Sequence, residues 1–582
     1  MILCFSCKKK SAGEGIPVEE LIEGLDPGKL NGVLLSKVSD TLYKPKGIYD
    51  ARFDDTLKKY YIKRDGNHIW LNFLKDSLFR VHLNSVLHST EAHGLKAKFY
   101  NVNSIEIYLK RFDRMKEIKS NDDYLFLSDL DYILSMSIIS IYKDLALGRI
   151  DPYRFYKPYF NIPLTRAPSF NIFSVLQHQV SFHDSIKVKT PSSVKYNTLQ
   201  KLYGQYKDYL KNHKVVDYDT SQPVNSQQNI TAIDQRMEML GVIPKDTSLI
   251  SLKDLIQNRD KYIKNTRQLF GLAPAGGVNT EFIERVCVPA SDFVDNAMVS
   301  MERERWFSAP DTGNYVLINL TEFMVYMHSD SIKSMKVCLG KSKPLNYDEK
   351  FQAYLKTKNP RAKPIDSETP QIGSRIIEVI INPTWTVPNS IIGKEMYHQI
   401  VKDPSYLTRK GFEVLLNGKV VSPGSVNWSK YSPYSVPVKI RQKAGPSNSL
   451  GKLKFNFPNG HNIYLHDTPE KGKFSLTNRA VSHGCVRLNY PVKMAEFLLG
   501  AQGDSGLVDK FRLKMGLQPY DTSLQIADSL LKPIKATEFI KLKKTIPIYF
   551  DYRTMMVESD ASVRFVKDIY RKNKAIARKL NE

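Results

Sequence analysis

The sequence predicts a multi-domain α+β protein: a mainly helical N-terminal scaffold, a small three-helix unit, and a β-rich C-terminal domain with a helical lid inserted in it. Three observations carry this expectation. The chain has 582 residues, against roughly 100–200 for one typical domain. Over its first third, apolar residues recur at helical spacing, as in Asp129-Leu-Asp-Tyr-Ile-Leu-Ser-Met-Ser-Ile-Ile-Ser-Ile-Tyr-Lys. From Tyr315 the pattern changes to short β-branched and aromatic runs separated by Gly and Pro, such as Tyr315-Val-Leu-Ile-Asn-Leu and Arg375-Ile-Ile-Glu-Val-Ile-Ile-Asn-Pro.

In chain order, residues 1–16 read as a signal remnant and tether, and 17–216 as the helical scaffold. Residues 217–229 are a polar run of Thr, Ser, Gln and Asn that reads as a linker. Residues 230–300 form the small helical unit, and 301–535 the β-rich domain, with the lid at about 386–435. Residues 536–582 are a C-terminal segment expected to pack back on the scaffold. Residues Pro388 to Gly411 turn helical between two strands, and an excursion of that kind is placed to cover a site. His88 and His93 flank Glu91 without forming H-E-x-x-H, and read as surface or core histidines.

The hydrophobic fraction of 42% and charged fraction of 25% are those of a globular chain. No run approaches the roughly 18–20 consecutive apolar residues of a membrane span. The net charge of +25 implies either a lysine-rich solvated surface or an anionic polymeric partner. No zinc knuckle, Walker loop or RNP-type motif supports nucleic acid as that partner. The five cysteines are Cys4, Cys7, Cys287, Cys338 and Cys485. Cys4 and Cys7 have C-x-x-C spacing without a matching set, so no metal site is expected, and no cofactor. Cys287 and Cys338 fall in different predicted domains and are expected to be free thiols. An apolar stub precedes Ser6-Cys7, which is how a lipoprotein signal ends, with Cys7 as the lipidated residue. A chance Cys in a tail is the plainer alternative. Lipidation would hold the protein to a membrane in the cell envelope, on the periplasmic side.

The chemistry concentrates between Lys454 and Pro491. There the strand Asn462-Ile-Tyr-Leu-His466-Asp-Thr-Pro precedes Ser482-His483-Gly484-Cys485-Val486-Arg487. A thiol attacks as thiolate and needs a base or positive surroundings to ionise near neutral pH. Histidine is the natural base. Glycine before the cysteine admits a substrate carbonyl near backbone N–H groups, and Arg487 can fork onto a carboxylate. Taken singly, each feature is common in proteins with no such chemistry.

The pattern of a histidine, fifteen intervening residues and then Ser-His-Gly-Cys resembles the signature of L,D-transpeptidases, the cysteine enzymes that cross-link peptidoglycan stem peptides. The resemblance extends to the large Gram-negative subgroup with scaffold, peptidoglycan-binding-like unit and lid. It is carried also by Asn382-Pro-Thr-Trp-Thr-Val-Pro, Asp403-Pro-Ser-Tyr-Leu-Thr-Arg-Lys-Gly-Phe, Arg441-Gln-Lys-Ala-Gly-Pro, Glu91-Ala-His-Gly-Leu and Gly148-Arg-Ile-Asp-Pro. The unit from Ile230 to Ala290 resembles a three-helix peptidoglycan-binding module in which Ala275 replaces the usual acidic loop residue. The resemblance implies Cys485 as nucleophile and His466 as proton acceptor and donor, with the Asp467 carbonyl orienting the imidazole. It places His483 and Gly484 at the oxyanion, and Tyr464, Ser482 and Arg487 along the substrate cleft. The implied partners are donor and acceptor stem peptides. An L,D-carboxypeptidase and a non-catalytic wall-binding lipoprotein are the alternatives. Two other matches carry less: Ser192 and Lys195 form S-x-x-K without companion motifs, and Asp311-Thr-Gly occurs once.

Overall fold

The computed structural model describes residues 15–44, 54–163, 191–244, 252–310, 312–359, 362–432, 436, 438–521 and 536–582. The expected lipidation site, Cys7, and Asp311 lie outside the described residues.

Helix Asn121–Leu147 organises the N-terminal half. Ser120 and Asp123 cap its start reciprocally, and Gly148, at φ +85°, ends it. Among the described residues it is the one helix long and apolar enough to cross a membrane, yet 89% of its apolar window is buried inside the protein. Its buried carboxylates anchor the surrounding chain. Asp131 accepts the backbone N–H of Ile69 at 2.9 Å and of Trp70 at 2.6 Å, and the Tyr61 hydroxyl at 2.6 Å. Asp144 accepts the Tyr100 hydroxyl at 2.9 Å. Buried polar groups are costly unless bonded, so these contacts fix how neighbouring segments seat on the helix.

Helices Val194–Asn212 and Ser291–Trp306 pack on one another beside it. Between them the fully buried Arg305 donates to Glu302 at 2.6 Å, to the Tyr196 hydroxyl at 2.9 Å and to the His93 carbonyl. Glu302 also accepts the Ile150 N–H at 2.8 Å. A Cβ on Gly148 would lie 2.7 Å from both Glu302 Oε1 and Trp306 Nε1. The Glu91-Ala-His-Gly-Leu and Gly148-Arg-Ile stretches thus meet at one buried ion pair.

Helices Gln227–Met239, Leu252–Leu269 and Thr280–Val286 form the small unit. It shares the scaffold's core through Ile233, Met237, Ile263, Phe270 and Phe282. In its Gly-Leu loop the Arg267 guanidinium donates to the carbonyls of Ala273 at 2.5 Å and Gly277 at 2.8 Å. The polar run before the unit is a folded set of turns. The buried Asn229 amide donates to the carbonyls of Asp219, Gln222 and Pro223 at 2.9, 3.2 and 3.0 Å.

The β-rich domain begins with β1 (Tyr315–Asn319), β2 (Met324–His328) and β3 (Ile332–Gly340). It continues through β4 (Gly373–Ile381), β9 (Leu453–Asn456), β10 (Leu465–His466), β11 (Ala480–Ser482), β12 (Val486–Leu488) and β13 (Glu538–Asp551). The sheet order is β11-β3-β12-β10-β9-β4-β13-β1-β2, and the first half of β3 also pairs with β2, so the sheet closes on itself. Helices Pro491–Gly500 and Ser505–Lys514 cover it, Met494, Leu498, Leu499 and Phe511 meeting Val316, Val379, Phe455 and Val486 in one core.

Glu538–Asp551, which the sequence groups with the returning C-terminal segment, is a central strand of this sheet, antiparallel to β4 and parallel to β1. The return follows it. The hairpin of β14 (Met555–Val557) with β15 (Val563–Phe565) and helix Asn573–Asn581 put Met555, Phe565, Ile576 and Leu580 into the scaffold core.

The lid lies between β4 and β9. Short helical segments from Asn389 to Arg409 pack on a four-stranded sheet of β5 (Trp385–Thr386), β8 (Lys439–Gln442), β6 (Phe412–Leu416) and β7 (Lys419–Val421). The lid is therefore helix on sheet, with its own core of Ile392, Ile400, Leu407, Val414, Trp428 and Ile440.

Truncating one member of a buried ion pair leaves the other charge uncompensated, at about 3–5 kcal/mol. Glu302→Ala is expected to lower the melting temperature of the scaffold's unfolding transition in calorimetry. An unchanged transition would show that the Arg305 cluster does not hold this layer together.

Candidate active site

Strand geometry assembles the site. β10 and β12 run parallel with Leu465 beside Val486 and His466 beside Arg487. Successive side chains on a strand alternate faces. Leu465 and Val486 therefore point into the core, while Tyr464, His466, Cys485 and Arg487 share the other face. β9 extends the row on one side, Lys454 pairing with His466, and β3 on the other, Cys338 pairing with Arg487. One level of the sheet thus reads thiol, guanidinium, imidazole, ammonium.

Each polar group on this face has a defined setting. His466 is buried, and its Nδ1 lies 2.5 Å from the Asp467 carbonyl. A carbonyl only accepts, so Nδ1 carries the proton and Nε2 keeps its lone pair. The Cys485 thiol lies 3.7 Å from the Asn462 carbonyl and within hydrogen-bonding reach of the Tyr464 hydroxyl, which also meets Trp385 of the lid. Lys454 Nζ stands 4.2 Å from the centre of the Tyr464 ring. Arg487 forms an ion pair with the more exposed Glu470, at the mouth of the site.

The Ser482–Cys485 loop is held from inside. Ser482 Oγ donates to the Cys485 carbonyl at 2.6 Å and accepts the Gly484 N–H at 3.1 Å. Thr369 Oγ1 donates to the Gly484 carbonyl at 2.8 Å and accepts the Gly340 N–H at 2.9 Å. The Tyr570 hydroxyl donates to the Gly340 carbonyl at 2.8 Å. Gly484 has φ +120°, in the range that favours glycine. Both its polar backbone groups are engaged, the N–H by Ser482 of the loop and the carbonyl by Thr369, so in this state its N–H faces Ser482 rather than the cleft. His483 turns the other way, with Nε2 2.5 Å from Glu395 of the lid. Ser482, His483, Gly484, Cys485, Tyr464, His466 and Arg487 thus occupy one neighbourhood. Lys454, Thr369, Gly340 and Tyr570 join them without a sequence signal, apart from the period-two alternation that could have pointed to Lys454.

Cys287, Cys338 and Cys485 are free thiols, and among the described residues no cluster of His, Cys, Asp and Glu has the makings of a metal site. Burial raises the Cys485 thiol above its ordinary pKa, with Tyr464, Lys454 and Arg487 pulling the other way. Burial first, and the Arg487 charge second, push His466 down to about 3, against the opposing Asp467 carbonyl. The resting pair is therefore neutral thiol and neutral imidazole.

A parallel strand pair thus presents a buried histidine and a cysteine on one face, beneath an inserted lid. Residues 313–509 match the YkuD model, described as the L,D-transpeptidase catalytic domain. Residues 55–202 match the scaffold domain. The chain thus carries an L,D-transpeptidase catalytic domain together with a scaffold domain, a multi-domain layout. It is 31% identical over 208 residues to a Haemophilus influenzae protein named "Putative L,D-transpeptidase"; the match covers 35% of this chain and 37% of that protein's length.

A neutral pair makes a specific prediction for the thiol. Alkylation of Cys485 by iodoacetamide, followed by peptide mass spectrometry, is expected to accelerate steadily into the alkaline range, with no plateau between about pH 5 and 7. Lys454→Gln is expected to move the profile further alkaline. A plateau in that window would mean a preformed thiolate–imidazolium pair and contradict the assignment.

Proposed function

We propose that the protein is an L,D-transpeptidase working through a Cys485 thioester on peptidoglycan stem peptides. The observation that supports this most is the fixed His466 tautomer, with Nδ1–H on the Asp467 carbonyl, on the same sheet face as Cys485. Cys485 attacks the carbonyl that follows the third residue of a donor tetrapeptide. Nε2 of His466 takes the thiol proton as the C–S bond forms. The proton then passes to the leaving amine as the C–N bond breaks, and D-alanine departs. The Tyr464 hydroxyl is the side-chain donor placed to meet the developing oxyanion.

In the second half, the side-chain amine of an acceptor stem attacks the thioester, giving a three-to-three cross-link. His466 takes a proton from that amine and returns one to the departing sulfur. Arg487 holds a substrate carboxylate, which replaces Glu470 on the guanidinium. Ser482 shapes the loop, and His483 closes its lid side. The same reading puts the protein in the cell envelope, facing the periplasm, with Cys7 as its membrane attachment.

Intact-protein mass spectrometry with a purified disaccharide tetrapeptide tests this. Wild type is expected to gain an adduct lacking D-alanine that resolves to a cross-linked dimer, and Cys485→Ala to gain none. His466→Gln is expected to slow adduct formation by about 10²–10⁴-fold, the usual range for a lost general base. Adduct resolving only to free tripeptide would make the protein an L,D-carboxypeptidase. Folded protein giving no adduct and no D-alanine would leave a wall-binding role.

A further inference from the structure

The turn from Asp568 to Asn573, between the C-terminal hairpin and the last helix, joins the scaffold to the Cys485 loop. One end of it is locked into the scaffold. The Asn573 side-chain amide accepts from the buried Arg303 at 2.7 Å and donates to Asn296 at 2.6 Å, both on helix Ser291–Trp306. Within the turn, Asp568 accepts the backbone N–H of Lys572 at 2.9 Å and of Asn573 at 2.8 Å, and the Tyr552 hydroxyl. That hydroxyl in turn accepts the Tyr570 N–H at 2.8 Å. Lys572 Nζ stands 5.1 Å from the ring centres of Tyr156 and Tyr552 and 5.5 Å from that of Tyr570, a cation among three aromatic rings. The buried Tyr570 ring is thereby held in place.

The Tyr570 hydroxyl crosses to the catalytic sheet. It donates to the Gly340 carbonyl at 2.8 Å and accepts the Thr369 N–H at 3.2 Å. Thr369 Oγ1 passes the constraint on, to the Gly484 carbonyl at 2.8 Å. Gly340 also touches the loop directly: a Cβ on it would lie 2.9 Å from Gly484 Cα and 1.7 Å from the Ser367 carbonyl oxygen. With the Gly484 carbonyl held, the planar trans peptide fixes the direction of the Cys485 N–H, which has no partner among the described residues. An N–H beside a nucleophile assists acyl transfer when its direction is set beforehand. Tyr570 itself lies outside the matched catalytic stretch, 313–509. We propose that Tyr570 is a positioning residue for Cys485, tying the Gly484–Cys485 peptide to the scaffold through Gly340 and Thr369. The tie rests on these bonds, and the acyl transfer it serves rests on the transpeptidase reading.

Tyr570→Phe removes the hydroxyl and keeps the ring. In the full chain it is expected to slow Cys485 adduct formation at saturating disaccharide tetrapeptide by about ten- to a hundredfold, the cost of a misplaced reacting group. Half-saturation is expected to stay within about twofold of the parent. Thr369→Val is expected to act alike, and the double variant to be no slower than the slower single, since both break one chain of bonds. Leu83→Ala, a truncation in the scaffold core, is expected to lower the melting temperature yet acylate at the parent rate. Deuterium exchange of the 482–488 amides, read by mass spectrometry without substrate, is expected to be faster in Tyr570→Phe and unchanged in Leu83→Ala. Additive losses in the double variant, a loss confined to half-saturation, an equal loss in Leu83→Ala, or unchanged exchange in Tyr570→Phe would each overturn the proposal. If the parent forms no adduct at all, the transpeptidase reading fails, and the exchange alone decides whether Tyr570 holds the loop.

Discussion

The parallel pairing of β10 with β12 is the constraint on which the site depends. Two residues on one strand and three on the other are too little to hold a register by themselves. Parallel neighbours also need a crossover rather than a hairpin. Here the crossover is residues 467–485, and it is pinned at both ends. The Asp467 carboxylate accepts the N–H of Lys452 at 2.9 Å and of Thr468 at 2.7 Å, and meets Lys471 at 2.6 Å. Gly451 leaves room for it, since a Cβ there would lie 2.4 Å from that carboxylate. Arg479 ties the far part to the carbonyls of Val337 and Phe323 at 3.1 and 3.0 Å. A slip of one residue would exchange the faces and send His466 and Arg487 into the hydrophobic core.

That register also sets the electrostatics. His466 stands between two cations, Arg487 and Lys454, in a buried row. Both neighbours oppose a positive charge on the imidazole and favour a negative one on sulfur. The lid adds a further coupling. Its Trp385 reaches Tyr464, and its Glu395 holds His483, so both sides of the Cys485 loop touch the same inserted unit. The lid keeps a hydrophobic core of its own, separate from that of the sheet beneath it.

What could be read from the sequence follows from where the information lies. Cys485, His466 and their neighbours sit in one short stretch, and the β-branched patterning around them shows which residues share a face. The partners that hold the loop are scattered: Gly340, Thr369 and Tyr570 are ordinary residues until the fold brings them together. Asn229 shows how a polar run misleads. Ser, Gln and Asn look like linker, yet one buried amide lies within hydrogen-bonding distance of three carbonyls and gathers the run into a folded turn. β13 was hidden for a related reason. A strand near the end of a chain carries no mark of being central, and its parallel partner β1 lies far away in sequence. The hydrogen bonds of Gly484 are a matter of loop geometry that no spacing reveals.

His466 rests as a neutral imidazole with its proton on Nδ1, toward the Asp467 carbonyl, and its lone pair on Nε2. Nitrogen NMR of the histidine-labelled protein at neutral pH tests it most directly, with His466→Gln assigning the resonance. The expected spectrum has a protonated Nδ1 and an unprotonated Nε2 for His466, persisting as the pH is lowered well past the usual histidine range. A His466 signal protonated at both nitrogens at neutral pH would contradict the account.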